Sequence, residues 1–239
     1  MVSPRLKEML LVVVALGTAG VCVRLGIWQL DRLEQRRVLN RLHEQRLASS
    51  RVQLSRVASF DTLEYRRARA VGTFDEDREI VVVTRRLGGL LGVHVITPLR
   101  LDDSTAVLVN RGWVSAPDGR SVNLAALAEP GRVSVPGYVV PPRASRSHDF
   151  AGQIEWPLHV GAISVEQVES LYPYALLPVI LRRDRASVRG GSGFTALPLP
   201  DFQDGPHLSY AVQWFSFAVI ALVGTAFLLR ADRRDLAES

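Results

Sequence analysis

The sequence predicts a membrane protein in which two transmembrane α-helices bracket a mostly antiparallel-β (α+β) extracytoplasmic domain. Three observations predict it. The twenty residues from Tyr210 to Leu229 carry no charge, and at the helical rise they span roughly 30 Å, about one hydrocarbon thickness. Near the other end, Met9 to Val23 is apolar apart from Thr18, and Leu25 to Trp28 extends it past Arg24. Between these segments lie short β-branched runs punctuated by Gly, Pro and Asp, the pattern of strands and turns.

The first span is expected over residues 9–30, after a short tail (1–8) that holds Arg5 and Lys7. A basic start and a short apolar run also suit a signal peptide, and Cys22 admits a lipoprotein reading. Val21 occupies the place where a lipoprotein site needs a small residue, and no convincing cleavage site follows, so an uncleaved span is expected. Arg24 can snorkel toward the headgroups. Trp28 falls at one interface, with Tyr210 and Trp214 near the same interface on the returning helix (209–229). The second tail (230–239) carries Arg230, Arg233 and Arg234. Short basic tails stay inside, so both termini are expected in the cytoplasm and residues 31–208 outside. Only eight residues precede the first span, too few for an Arg- and Ser-rich transit peptide, so the expected location is a bacterial plasma membrane.

Residues 31–208 contain 23 Arg against 20 Asp and Glu, interspersed, which gives a nucleic-acid reading little support. Lys7 is the only lysine, a bias that reads as genomic composition. The single cysteine lies in the first span, so the outer domain has no internal disulfide and no thiolate metal site. Its length suffices for one core.

Within that domain, Asp31 to Ala48 continues from the first span as a charged connecting helix. Strands are expected at 67–74, 79–84, 92–101, 105–114 and 132–140, with Asp102-Asp103-Ser104 turning a hairpin between the third and fourth. A further strand at 175–182 contains Pro178 and is expected at a sheet edge. Helices fit 122–128 and 165–171, the second with Ser164 and Gln167 placed as a capping box. Residues 141–152 and 186–206, rich in Pro, Gly, Arg and Ser, read as loops.

Enzyme signatures are scarce. Gly190-Gly191-Ser192-Gly193 lacks the Lys-Ser/Thr of a phosphate loop and reads as linker. Asp75, Glu76, Asp77 and Glu79 form an acidic cluster that a cation could use, but they fall between two strands, where Asp and Glu serve as turn residues. His94, inside a strand, reads as a packed or hydrogen-bonded side chain; His43, His148 and His159 form no ligand spacing. His207 is different. Steps of 100° put it on one helix face with Tyr210, Ala211 and Trp214, at a membrane boundary. An imidazole is a good iron ligand, and aromatic walls suit a flat macrocycle. Arginines of the outer domain could pair with the carboxylates of such a ring. The bland alternative is an aromatic belt that anchors the helix, and sequence physics alone favours it.

Five ordered motifs resemble the SURF1 family of cytochrome c oxidase assembly factors. They are Gly26-Ile27-Trp28-Gln29-Leu30-Asp31-Arg32, Val71-Gly72-Thr73-Phe74, Gly92-Val93-His94-Val95-Ile96-Thr97-Pro98-Leu99, Val109-Asn110-Arg111-Gly112-Trp113-Val114 and His207-Leu208-Ser209-Tyr210-Ala211-Val212-Gln213-Trp214-Phe215. The resemblance covers nearly the whole chain and weakens between Arg143 and Arg189. It implies a non-enzymatic role: binding haem a and handing it to the catalytic subunit of the oxidase, with His207 as iron ligand and Tyr210 and Trp214 as pocket neighbours. The enzyme that makes haem a is a further partner this implies. A scaffold that holds an oxidase subunit and touches no haem is the alternative, and an enzyme built on the acidic cluster or Arg111 is a third. Trp28, Gln29, Gly72, Asn110, Arg111, Gly112 and Trp113 are expected to shape the fold or bind a partner, Arg111 by pairing with a carboxylate of the protein, of haem or of a partner.

Overall fold

A computed structural model describes residues 4–57, 59–140, 155–187 and 193–238. The expected loop at 141–152, His148 and the Gly190–Ser192 part of the glycine run therefore lie outside the described residues. The chain divides into a unit of Met1–Leu42 with Phe202–Ser239 and a unit of His43–Asp201. The described α-helices are α1 (Pro4–Ala48), α2 (Val165–Val168) and α3 (His207–Glu238).

The apolar segment and the charged segment expected after it form one unbroken helix, α1. Nothing between Met9 and Ala48 stops it, because no proline interrupts the run and its glycines cost only helix propensity. Along α1, Ala15, Ala19, Cys22, Gly26, Leu33 and Asn40 are buried at steps of three, four and seven. They form one stripe, since such positions stack on the same face. Ala211 and Ala218 are buried on α3. Ala19, Cys22 and Ala218 cluster together with Trp214 against them. The two helices run antiparallel: low numbers on α1 meet high numbers on α3. Small residues at the seam let the backbones approach, as in helix pairs without a hydrophobic driving force. Elsewhere both helices expose apolar side chains, among them Leu10, Val14, Ile220 and Phe227. Both are long and apolar enough to cross a membrane.

The second unit is mostly sheet. Its strands are β1 (Val52–Gln53), β2 (Arg67–Phe74), β3 (Ile80–Leu87), β4 (Leu90–Arg100), β5 (Thr105–Ser115), β6 (Arg132–Val140), β7 (Leu158–Val160) and β8 (Ala175–Arg183). The order is β1-β2-β6-β8-β5-β4-β3-β7, and β2 also pairs with β4. That extra pairing, Thr73 with Arg100 and Phe74 with Leu99, closes β2, β6, β8, β5 and β4 into a ring. Closure removes edges that would otherwise be open to pairing. Three pairings are parallel (β1–β2, β3–β7 and β5–β8) and the other five antiparallel.

Alternate residues of the ring strands build one core cluster: Ala68, Ala70 and Phe74, then Leu99, Val107, Val109, Val135, Val139, Val179 and Leu181. A second cluster packs α2 and Tyr172 and Tyr174 against Ile80, Ile96, Leu108 and Ile180. The closing strands come close enough to need glycine. A Cβ on Gly72 would lie 2.0 Å from the Arg100 carbonyl oxygen, and one on Gly137 2.1 Å from that of Arg182.

The 102–104 hairpin forms as expected, with Asp102 Oδ1 accepting from the Ser104 amide at 2.9 Å. Three expectations need correction. The strand with Pro178 is not an edge: β8 lies between β6 and β5. Its register with β5 shifts between Ala106–Leu176 and Leu108–Ile180, and its pairing with β6 ends at Ile180. Pro178 sits in that bulge, exposed, where no ladder bond needs its missing amide hydrogen. The helix expected at 122–128 is a single 3₁₀ turn, Leu124–Leu127, capped by Asn123 and followed closely by Pro130. The Ser164 half of the capping box does not form; the Ser164 hydroxyl instead bonds Glu166, lowering that carboxyl.

Candidate functional site

The start of α3 is built by local backbone chemistry. Gly205 has φ +74°, a left-handed turn that glycine adopts without strain. Pro206 follows, and its fixed φ suits a helix's first turn. Its carbonyl accepts from the Tyr210 amide at 3.1 Å and from Ser209 Oγ at 2.8 Å. His207 is the first helical residue and half-buried.

The approach to α3 is tied to α1. Arg37 Nε donates to Asp204 Oδ2 at 2.9 Å, Asn40 Nδ2 to Asp204 Oδ1 at 3.2 Å and Arg36 Nε to the Gln203 carbonyl at 3.4 Å. The Arg37 guanidinium and the Asn40 amide hold the Asp204 carboxyl below the usual carboxylate range. Further along α1, Gln29 Oε1 lies 2.8 Å from His207 Nδ1. His207 makes no other hydrogen bond among the described residues, so Nε2 is uncommitted. A Cβ on Gly205 would lie 3.7 Å from Nε2 and 3.5 Å from Cδ2. With glycine at 205, no side chain of that residue lies against the ring.

The other residues expected beside His207 behave differently. Trp214 faces the helix seam, against Ala19, Cys22 and Ala218, and meets the Phe217 ring edge-on at 5.9 Å. Tyr210 is 45 % exposed and Trp28 43 % exposed, the latter under the Arg32 guanidinium at 5.6 Å. The tryptophan expected at the pocket is thus engaged by helix packing.

In the sheet unit, Arg111 is 1 % exposed. The register of β4 with β5 runs from Val95–Gly112 to Ile96–Asn110, leaving Arg111 as the extra residue of a bulge. Gly112, at φ +145°, and an Asn110 side chain that accepts from the Gly112 amide at 3.2 Å shape that bulge. The guanidinium bonds Glu79 Oε1 at 3.1 Å, Glu129 Oε1 at 3.0 Å and the Leu127 carbonyl. Phe74 and Phe194 each face it at 4.7 Å. Thr97 Oγ1 donates to Glu79 Oε1 at 2.5 Å, and Arg183 binds both oxygens of Glu129 at 2.5 and 3.0 Å. Burial raises the Glu79 carboxyl, against the opposing pull of Thr97 and Arg111. Burial also acts to raise Glu129, but the bonds and charges of Arg183 and Arg111 outweigh it and leave that carboxyl low. Trp113 is held by an indole bond to the Arg85 carbonyl at 3.0 Å. A Cβ on Gly92 would lie 2.4 Å from the Trp113 ring and 2.2 Å from the Val114 carbonyl oxygen.

Of the acidic cluster, Asp75, Glu76 and Glu79 are engaged internally, while Asp77 is exposed. Asp75 accepts from Arg78 at 3.0 Å and Tyr174 at 2.6 Å, and Glu76 accepts from the Glu129 amide at 2.6 Å. Among the described residues no group of three or more His, Cys, Asp or Glu side chains is placed to hold a metal ion. His43 stacks near Tyr65 at 4.6 Å, His94 Nδ1 lies 3.5 Å from Asn110 Nδ2, and His159 Nδ1 is 3.0 Å from the Pro157 carbonyl.

Motif residues meet within each unit: Gln29 meets His207 in the helical unit, and in the sheet unit Gly92 meets Trp113 while Thr97 and Phe74 meet Arg111. A family model described as SURF1 family matches residues 16–219. The chain belongs to the SURF1 family. It is 24 % identical over 207 residues to a SURF1-like protein of Rickettsia bellii, covering 85 % of this chain and 84 % of that one. It is 29 % identical over 231 residues to a SURF1-like protein of Monosiga brevicollis, covering 90 % and 86 %. An uncharacterized SURF1-like protein of Mycobacterium tuberculosis is 29 % identical over 185 residues, covering 74 % and 65 %. Sequence reasoning reached Gln29 and Arg111 only as motif members. It missed Glu129, Arg183, Phe194 and Asp204, which carry no local pattern.

Proposed function

We propose that this SURF1 protein is an assembly factor of cytochrome c oxidase, held in a bacterial plasma membrane by α1 and α3, with both termini cytoplasmic. SURF1 proteins are oxidase assembly factors rather than enzymes. Haem a is its cargo, taken from the enzyme that makes it and passed to the catalytic subunit. The single observation that carries this reading is His207: a half-buried imidazole opening an apolar helix, with Nε2 uncommitted and a glycine at 205 that sets no side chain against the ring. An imidazole of that kind is a haem-iron ligand. Tyr210, exposed one turn further, is the aromatic neighbour available to a ring seated there. Trp214 supports the same site at one remove by fixing α3 against α1. Of the carboxylates that Arg111 could pair with, Glu79 and Glu129 of the protein itself are the ones at its guanidinium.

The test is made in cells that synthesise haem a. His207→Ala is expected to purify with little haem and to leave the oxidase immature. Wild-type haem content together with normal oxidase maturation in the variant would refute the ligand role. Capture of the oxidase subunit by a haem-free wild-type protein would favour a scaffold.

A further inference from the structure

We infer that Gln29 is a positioning residue for His207: it selects the imidazole tautomer that leaves Nε2, and only Nε2, able to bind an iron. This rests on the haem-binding reading above and extends it to α1. The structure turns the Gln29 amide oxygen, an acceptor, toward Nδ1 of His207 at 2.8 Å, and in that orientation Nδ1 donates. In a neutral imidazole one nitrogen is then protonated and the other carries the lone pair. The lone pair falls on Nε2, the nitrogen beside the space that a Cβ on Gly205 would fill. Outer-shell acceptors of this kind fix the ring and raise ligand basicity, and losing one typically lowers metal affinity about 10- to 100-fold.

The placement of Gln29 is not incidental. It is three residues from Gly26, on whose Cβ position the Phe215 ring rests. It lies on the α1 face that turns toward α3, continuing the buried stripe of Cys22, Gly26 and Leu33. A side-chain amide at the seam of two apolar helices needs a partner to offset its desolvation. His207 is that partner. In the same way, the Asn40 and Arg37 bonds to Asp204 pin the chain just before the helix. The ring is therefore oriented from one side by Gln29 and delivered from the other by a fixed backbone.

The tautomer is read without haem. In detergent-solubilised full-length protein labelled with ¹⁵N-histidine, the His207 signals are assigned by their loss in His207→Ala. The expected result is a protonated Nδ1 and a pyridine-like Nε2, with that preference lost in Gln29→Leu. A protonated Nε2 in the wild type, or an unchanged tautomer in Gln29→Leu, overturns the inference. Haem a titration is the second arm. Gln29→Leu is expected to bind about 10- to 100-fold more weakly. Gln29→Glu, which keeps the acceptor, is expected to restore binding with a stronger iron–imidazole stretch by resonance Raman. Wild-type affinity and an unshifted stretch in both variants overturn the positioning role. Undiminished binding by His207→Ala instead overturns the ligand reading itself, and the haem-free spectra tell the two failures apart.

Discussion

The Phe215 ring occupies the place of a Gly26 side chain: a Cβ there would lie 2.7 Å from two of its carbons. One motif leaves the first apolar helix and the other begins the second, so the contact sets the helix register that brings Gln29 to His207. Gly26→Val is expected to part the helices locally and lower the thermal midpoint in detergent. Core overpacking of this kind costs about 1–3 kcal/mol. Combining it with Phe215→Ala should recover part of the loss, a coupling measurable as a double-mutant cycle.

Gly92 and Trp113 make a second such pair. Gly92→Ala would drive a methyl into the indole and into the Val114 carbonyl. The backbone is held there, because the β4–β5 ladder runs on from Gly92–Ser115 through Val93–Val114 and the Ala116 amide bonds the Leu91 carbonyl at 3.2 Å. Urea denaturation followed by tryptophan emission should show a loss of about 1–3 kcal/mol. An unshifted midpoint would mean that the sheet yields there.

Arg111 is sealed in, with its charge answered by Glu79 and Glu129. Removing one partner of a buried pair leaves an uncompensated charge and costs about 3–5 kcal/mol. Arg111→Leu is expected to fall in that range, and Arg111→Lys to recover little of it, since an ammonium cannot fork to two carboxylates. Both are read from chemical denaturation of the full chain.

The two glutamates predict opposite pH slopes. Glu129 lies below its ordinary value of 4.5. Its contribution is complete above that value and lost as pH falls through the lower folded one. Glu79 lies above 4.5. A carboxyl raised by folding favours the fold while protonated, so its contribution is complete below 4.5 and lost as pH rises through the folded value. Denaturation midpoints measured from about pH 3 to 7 should show a shallower acid decline in Glu129→Gln and a shallower opposing decline in Glu79→Gln.

What sequence could reveal depended on how local each cause was. The long helices and the 102–104 hairpin follow from runs of adjacent residues and were legible. Pro178 misled because its missing donor is absorbed by a bulge against β5, a fact of pairing rather than of the strand itself. The 122–128 segment has helical residues but no room for more than one turn before Pro130. Trp214 shares a helix face with His207, yet the small residues of α1 draw it into the seam. The Gln29 bond to His207 spans 178 residues and appears only once α1 and α3 are paired.

Whether His207 takes haem iron is decided by titrating the purified full-length protein with haem a in mild detergent. A saturable shift of the Soret band is expected in the wild type and its loss in His207→Ala. Superimposable titrations of the two proteins would refute the ligand role.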